Sequence, residues 1–225
     1  MARARALFLD RDGTLVEPRH YPSRPEDLIL YPGIAPLLRC LRQAGFKLIV
    51  VTNQSGIARG YFDEDALGAM HAHLARQLAT EDVTLDAFYY CPHHPDGVVP
   101  ELARRCDCRK PRPGMLLQAG IDHALDLSRS WFVGDILDDI EAGNRAGCRT
   151  VLVDLDTEPA PQVPLRRPSF VARDTRHALR LIAAVEGLGP AAPLDYAPAR
   201  WRPSTTTAGA PARATMMGGC DGERD

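Results

Sequence analysis

Short apolar runs alternate along the chain with segments in which apolar residues recur every three or four positions. The runs predict buried strands, because a strand covered on both faces reads as continuously hydrophobic. The helical spacing between them predicts amphipathic helices, three of which stop just before a glycine. The predicted strands lie at 6–10, 46–52, 87–90, 131–134, 150–153 and, more weakly, 169–172. The predicted helices lie at 34–41, 63–78, 113–125, 136–146 and 175–186.

This alternation predicts an α/β fold, a Rossmann-like parallel sheet with helices on both faces, because parallel strands need crossover connections and these are right-handed. We expect one domain over 1–188, without a large cap domain. Residues 189–225 are dominated by Gly, Pro, Ala, Arg and Thr and lack apolar periodicity, so we expect a disordered tail there.

Composition narrows the class of protein. The chain has 225 residues, of which 45% are hydrophobic and 25% charged, as in ordinary globular domains. The net charge of -2 argues against a nucleic-acid partner, and no apolar run is long enough to span a membrane. The apolar stretch after the basic start ends at Asp10, too early for a signal peptide. We therefore expect a cytoplasmic protein that binds a small molecule and, lacking a cap to dimerise through, is a monomer.

Carboxylates follow two of the predicted strands. Asp10 and Asp12 come after the first and Asp135 after the fourth, while Thr52 and Asn53 end the second. Because the carboxyl ends of parallel strands share one edge of the sheet, these groups should converge there. Any one aspartate at such a place can be a helix N-cap, but capping does not require D-x-D-G-T at one strand end and G-D-x-x-x-D at another. Converging carboxylates with room for water predict a Mg²⁺ site.

A second metal site is predicted in a loop at about 91–110. Cys91, His93, Cys106 and Cys108 form a Cys₃His set without a vacant position, which is typical of structural Zn²⁺. His94 is an alternative to His93 that spacing does not exclude, and a disulfide or reactive thiols are alternatives to the metal.

Lys110 stands two residues beyond this set. The chain has two lysines among its 27 basic residues, so a lysine at this place is conspicuous. Its compact ammonium suits contact with both a phosphate and a carboxylate. Zinc bound to Cys108 would fix the backbone that presents this lysine.

Taken together, Asp10-Arg11-Asp12-Gly13-Thr14, Thr52-Asn53, Lys110 and Gly134-Asp135 resemble the four motifs of the haloacid dehalogenase (HAD) superfamily, in the same order. The resemblance implies a two-step phosphoryl transfer. Asp10 would attack phosphorus, and Asp12 would protonate the leaving oxygen and then activate water. Thr52, Asn53 and Lys110 would hold the phosphoryl group, and Mg²⁺ would bind the carboxylates of Asp10 and Asp135 and the backbone carbonyl of Asp12.

Two longer segments, 51–60 and the Cys-Pro-His-His-Pro to Cys-Asp-Cys-Arg-Lys-Pro stretch, are similar to the D-glycero-D-manno-heptose 1,7-bisphosphate 7-phosphatases. That resemblance implies a hydrolase of carbohydrate metabolism, in the route to lipopolysaccharide, that removes the 7-phosphate. It also implies that the substrate is contacted by Pro18, Arg19, His20, Tyr21, Asn53, Gln54, Ser55 and Arg109. The family pattern has Lys or Arg after the motif aspartate, where this chain has Ile136. The alternatives are a histidinol-phosphate or other sugar-phosphate phosphatase, and a non-catalytic zinc-loop binding module.

Overall fold

The computed structural model of this protein describes residues 3–188. The predicted tail at 189–225 lies outside them. The six strands are β1 (Arg5–Leu9), β2 (Phe46–Asn53), β3 (Ala87–Cys91), β4 (Trp131–Gly134), β5 (Arg149–Val153) and β6 (Phe170–Ala172). The five α-helices are α1 (Ala35–Gln43), α2 (Glu64–Ala79), α3 (Gly114–Asp122), α4 (Leu137–Ala146) and α5 (Thr175–Val185).

The strands form one parallel sheet in the order β3-β2-β1-β4-β5-β6. The chain first moves outward from β1 to β3 and then returns to the other side of β1 at β4. The order of strands therefore reverses between β1 and β4, and a crevice opens at their carboxyl ends. The predicted Rossmann-like sheet with helices on both faces is confirmed, and the carboxyl edge is where the polar motifs lie.

Alternate residues of the central strands pack into two separate cores. Leu7 and Leu9 face a larger core that includes the apolar faces of α1, α2 and α5. Phe8 lies in a smaller core with Met115 of α3 and Ala142 of α4. Both faces of the sheet are thus covered, which explains why the strands read as unbroken apolar runs.

One helix is shorter than predicted. The apolar pattern predicted α3 to reach Leu125, but the helix ends at Asp122 because Ala124 has a left-handed φ of 50°. The amide of Leu125 then donates to the carbonyl of Gly120, and Leu125 forms a bridge with Ala4 beside β1. Leu125, the last apolar residue of the pattern, is therefore buried in the core although it lies in the turn after α3.

The connections at the carboxyl edge are loops. The two longest are 10–34, between β1 and α1, and 92–113, between β3 and α3, and neither contains an additional α-helix or a strand of the sheet. A large cap domain is therefore absent from residues 3–188, as predicted. In the same range, no helix has both the length and the apolar character needed to cross a bilayer.

Candidate active site and metal centre

Three carboxylates converge where β1 and β4 end side by side. Asp10 directly follows β1, Asp135 directly follows β4, and Asp139 lies in the first turn of α4. One carboxylate oxygen from each lies within 4.8 Å of the others. We call these three residues and Lys110 the strand-end cluster. Its geometry follows from the topology, because β1 and β4 are neighbours in the sheet.

Lys110 joins two of these carboxylates. Its Nζ lies 2.7 Å from Oδ1 of Asp10 and 2.6 Å from Oδ1 of Asp139, and it donates to the carbonyl of Val51 at 2.9 Å. The residue is only 2% exposed, and Asp139 is not exposed at all. Burial alone would lower the pKa of Lys110, but the two aspartates outweigh it and raise the pKa above its usual value. The lysine therefore stays charged.

Two glycines make room for the cluster. A Cβ on Gly134 would collide with the side chain of Asp139, and one on Gly13, whose φ is 79°, would collide with the carboxylate of Asp135. The glycines of D-x-D-G-T and G-D are thus required by the packing of carboxylates against the backbone.

The strand-end cluster carries more negative charge than its lysine neutralises. Burial, reinforced by Asp10 and Asp139, raises the pKa of Asp135 to about 9. Burial also raises the pKa of Asp139 to about 7, although Lys110 opposes the shift. A bound cation would relieve this repulsion, and three buried oxygen donors suit a hard ion such as Mg²⁺. The residues present therefore fit the predicted metal.

The side chain of Asn53 fixes the backbone that carries the lysine. Its amide donates to the carbonyl of Lys110 and accepts from the Lys110 amide, both at 3.1 Å. Asn53 ends β2, so this pair of hydrogen bonds ties the lysine loop to the sheet.

The carboxylate of Asp12 lies apart from the metal-binding set. It accepts from Nε and Nη2 of Arg11 at 3.1 and 3.2 Å and from Nε2 of Gln54 at 3.1 Å. Gln54 also donates to Oγ1 of Thr52 at 2.8 Å. Burial raises the pKa of Asp12, with Arg11 opposing and Asp10 adding to the shift. The predicted acid/base residue and the predicted phosphate-binding threonine thus share one hydrogen-bonded network.

The predicted substrate residues line two neighbouring depressions. The first contains Arg19, His20, Tyr21, Asn53, Gln54 and Ser55, together with Arg11, Asp12, Pro22 and Gly56. Pro18 precedes this set on the same loop and is exposed. The second contains Arg109, with Pro95, Arg105, Cys106, Lys110, Pro111, Arg112 and Asp138. The hydrogen-bonded pair Asn53 and Lys110 contributes one residue to each depression.

The predicted zinc ligands come together in the loop that follows β3. The three sulfurs of Cys91, Cys106 and Cys108 are 3.1–3.4 Å apart, and Nδ1 of His93 lies 3.6 Å from Cys91 Sγ and 3.4 Å from Cys108 Sγ. Four such donors within reach of one point can hold one Zn²⁺. We call residues 91–108 the cysteine loop.

His94 does not join this set. Its ring contacts the guanidinium of Arg59 and accepts from the amide of Asp96. The amides of Val98 and Val99 donate to the carbonyl of Ala58, at 2.7 and 3.0 Å. The cysteine loop therefore packs on the loop after β2, which lines the first depression.

Sequence reasoning missed three contributors. Asp139 was visible as the last residue of G-D-x-x-x-D, but nothing in the spacing assigned it to the lysine. Arg11 stood inside D-x-D, where a variable position is usually read as solvent-facing, yet it is not exposed at all. The side chain of Asn53 was read only as part of a phosphate-binding turn.

Comparison with known proteins places these features in a family. A family model described as HAD-hydrolase-like matches residues 107–178. The D-glycero-beta-D-manno-heptose-1,7-bisphosphate 7-phosphatase of Mesorhizobium japonicum is 43% identical over 185 residues, which are 82% of this chain and 83% of that protein. The enzyme of the same name from Escherichia coli K12 is 46% identical over 145 residues, 64% of this chain and 76% of its own.

Solved structures show the same likeness. A HAD-like phosphatase from Mesorhizobium loti has a TM-score of 0.72 and 43% identity, over 84% of this chain and 88% of its own. The D,D-heptose 1,7-bisphosphate phosphatase of B. bronchiseptica, solved with magnesium and phosphate, has a TM-score of 0.69 and 32% identity. That match covers 80% of this chain and 99% of the other.

Proposed function

Since this chain belongs to the D-glycero-β-D-manno-heptose-1,7-bisphosphate 7-phosphatase family of HAD-like hydrolases, we propose that it hydrolyses the 7-phosphate of that sugar bisphosphate. It is a phosphoric monoester hydrolase. The observation that carries the proposal is the buried contact between Asp10 Oδ1 and Lys110 Nζ at the carboxyl ends of the central strands. A carboxylate so placed can act as a nucleophile, because the adjacent cation lowers its repulsion for an anionic substrate.

In the first step, a carboxylate oxygen of Asp10 forms a bond to phosphorus while the bond from phosphorus to the sugar oxygen breaks. Asp12 gives its proton to that leaving oxygen, so the sugar departs as an alcohol. In the second step, Asp12 takes a proton from water, whose oxygen forms a bond to phosphorus while the bond from phosphorus to the Asp10 oxygen breaks. Inorganic phosphate leaves, and Asp10 and Asp12 return to their initial states.

The remaining groups stabilise the charge that is transferred. Lys110 stays cationic beside Asp10 and can donate to a phosphoryl oxygen. Thr52 and the amide of Asn53 lie at the end of the neighbouring strand, where they can donate to the same group.

We assign Mg²⁺ to the carboxylates of Asp10 and Asp135 and the backbone carbonyl of Asp12, with Asp139 close by. When bound, the ion supplies neutralisation of charge and orientation of the phosphoryl group. Zn²⁺ at the cysteine loop has no vacant position for substrate, so its role is to hold the backbone that leads to Lys110.

The two depressions divide the substrate between them. We assign the sugar to the depression that contains Arg19, His20, Tyr21 and Ser55, with Pro18 on the same loop. We assign the distal phosphate to the depression that contains Arg109, where Arg105 and Arg112 add positive charge. These arginines offset the absence of a cation at Ile136, which is half-buried at the N-terminus of α4.

The test is phosphate release, measured as kcat/KM with Mg²⁺ present. The substrates are the β and α anomers of the heptose 1,7-bisphosphate and histidinol phosphate. We expect the β anomer to be preferred over histidinol phosphate by at least about 10²-fold, because the arginines of the second depression are left unpaired without the distal phosphate. A preference for histidinol phosphate would move the chain to the neighbouring family of phosphatases. Lack of turnover of all three, with Mg²⁺ bound, would favour a binding module.

A further inference from the structure

Arg11 is a fully buried cation that the two-step reaction does not use. We propose that Arg11 is a positioning residue whose guanidinium orients the carboxyl group of Asp12 and, through the amide of Gln54, the hydroxyl group of Thr52. The inference rests on the phosphatase function proposed above, because both groups act on a phosphoryl substrate.

The first part of the inference follows from the contacts of Asp12. The Oδ2 atom accepts from Arg11 Nε and from Gln54 Nε2, both at 3.1 Å, and lies 2.9 Å from Arg11 Nη2. Within the described part of the chain, the Oδ1 atom accepts one hydrogen bond, from Arg11 Nη2 at 3.2 Å. The carboxylate is thus held by Oδ2, and Oδ1 is the oxygen better placed to exchange a proton with substrate and water.

The second part follows from the chemistry of arginine. A guanidinium can only donate, so the atom of Gln54 that lies 3.0 Å from Arg11 Nη2 must be the amide oxygen. The amide nitrogen of Gln54 then necessarily faces Asp12 and Thr52. Arg11 therefore determines which way round the Gln54 amide is placed.

The orientation of Gln54 sets the direction of the Thr52 hydroxyl. Because Gln54 Nε2 donates to Thr52 Oγ1 at 2.8 Å, that oxygen acts as an acceptor toward Gln54. The hydroxyl proton of Thr52 is left to point elsewhere, which makes it a donor for a phosphoryl oxygen. The network thus presents one proton acceptor site at Asp12 and one donor at Thr52.

The surroundings of Arg11 keep the guanidinium in place. Arg11 is 0% exposed, and its Nη1 has no hydrogen-bond partner among residues 3–188. His71 of α2 lies nearby, buried and stacked on Phe88 with ring centroids 4.4 Å apart. Burial, with a contribution from Arg11, lowers the pKa of His71 to about 3, so the imidazole is neutral. Among the ion pairs of residues 3–188, the partner of this cation is the carboxylate of Asp12.

The test compares two substrates that differ in their need for an acid. An alkyl phosphate such as β-glycerophosphate releases a strongly basic oxygen and needs the proton of Asp12, whereas p-nitrophenyl phosphate releases a weakly basic one. First-turnover rates with enzyme in excess isolate this step. For Arg11→Met we expect the rate on the alkyl phosphate to fall about 10²-fold. The loss of rate on p-nitrophenyl phosphate should be at least tenfold smaller, that is about tenfold or less. Equal losses on the two substrates, or no loss, would overturn the proposal.

Arg11→Lys distinguishes orientation from charge. Lysine keeps the cation but cannot donate from two nitrogens held in one planar fork, as Nε and Nη2 of Arg11 do, so we expect it to show the same selective loss as Arg11→Met. Full rescue by lysine would show that charge alone matters and would contradict the proposal. The matched control is Arg149→Met, which removes an arginine stacked on Trp131 outside the site and should leave both rates unchanged.

Gln54→Met tests the relay while keeping the Arg11 guanidinium and its own contacts with Asp12, and so remains informative if the Arg11 variants do not fold. The variant removes the side chain that donates to Thr52. Because Thr52 contacts the phosphoryl group, which both substrates contain, we expect both first-turnover rates to fall about tenfold. Rates unchanged within about twofold would overturn the relay. If the unmodified enzyme with Mg²⁺ hydrolyses neither ester nor the heptose bisphosphate, the proposed function itself fails. An active enzyme whose variants lack these patterns refutes only the role of Arg11.

Discussion

The strand-end cluster and the cysteine loop are both candidate metal sites, but the chain builds them in opposite ways. The cluster draws its members from four positions spread over more than half of the described chain, and the sheet brings them together. The cysteine loop draws its four ligands from the last residue of β3 and the connection that follows it to α3. The first site depends on the fold, whereas the second organises the loop in which it lies.

The two sites also differ in what holds their charged groups together. In the strand-end cluster the scaffold buries the carboxylates and holds them together, so burial, reinforced by their repulsion, raises the pKa of Asp135 and Asp139. In the cysteine loop Cys91 is buried, whereas Cys106, Cys108 and His93 are partly exposed, and the four ligands need the metal to remain together. Removal of a ligand should therefore reduce the repulsion between carboxylates in the strand-end cluster, whereas in the cysteine loop it should disorder the backbone.

The largest expected effect is the loss of the nucleophile. Asp10→Asn keeps the shape of the side chain but removes the attacking carboxylate, so we expect kcat to fall by at least about 10⁴-fold. Because one repelling charge is gone, the thermal midpoint without Mg²⁺ should stay equal or rise. Steady-state kinetics, zinc analysis and a thermal melt check these points together. A variant that keeps a tenth of the activity would remove Asp10 from its assigned role.

Loss of a zinc ligand should have the next largest effect. For Cys108→Ser we expect loss of bound zinc and a fall in kcat of about 10²-fold, because Lys110 is two residues away and depends on the loop for its position. Unlike Asp10→Asn, this variant should also be less stable. Cys40→Ser, on α1 and outside the loop, is the matched control and should keep both zinc and activity. Zinc-free enzyme with full turnover would contradict the dependence of one site on the other.

The sheet could be predicted from sequence because its strands are buried on both faces and its helices are amphipathic. The same burial makes the ends of the helices harder to predict. Because Leu125 is apolar and buried, the predicted α3 extends three residues too far, whereas in the structure Leu125 lies in the turn after the helix. An apolar residue predicts that its side chain is buried, but it does not predict whether its backbone is helical or in a turn.

The two sites were predictable to different degrees for a physical reason. The cysteine loop is local, so spacing alone predicts its ligands and leaves open the choice between His93 and His94 and the alternatives of a disulfide or reactive thiols. The strand-end cluster needs tertiary contacts, and these decide that Lys110 meets Asp139 as well as Asp10. Arg11 is harder still, since it is buried and contacts Gln54 of the loop after β2, which its own segment does not reveal.

The role of Asp139 provides a smaller test of the strand-end cluster. Asp139→Asn removes one of the two carboxylates that hold Lys110, and we expect kcat to fall about tenfold, with a higher Mg²⁺ requirement. Glu141→Gln, two residues along the same helix and paired with Arg145 and Arg166, is the matched control. Kinetics over a range of Mg²⁺ concentrations separate the two effects. Equal behaviour of the two variants would show that Lys110 does not need its second carboxylate.

The smallest expected effect is a pH dependence of stability in enzyme freed of Mg²⁺ but not of zinc. Asp135 has a folded-state pKa of about 9, far above that of an unfolded aspartate, so the folded chain binds a proton that the unfolded chain has lost. This stabilisation is complete below the unfolded pKa and is lost as the pH rises toward 9. Between pH 6 and pH 8 we therefore expect the free energy of unfolding to fall by on the order of 1 kcal/mol per pH unit.

Denaturant unfolding at the two pH values, with zinc content verified, measures this slope. Asp135→Asn cannot ionise at this position and should flatten the slope, and saturating Mg²⁺ should do the same in the unmodified enzyme. In the cysteine loop the free energy of unfolding should change with pH in the opposite direction. Acid protonates the ligands and releases zinc, so the stabilisation by zinc is lost as the pH falls. A slope that is equal in the unmodified enzyme and Asp135→Asn would mean that the repulsion between the carboxylates is relieved without a cation.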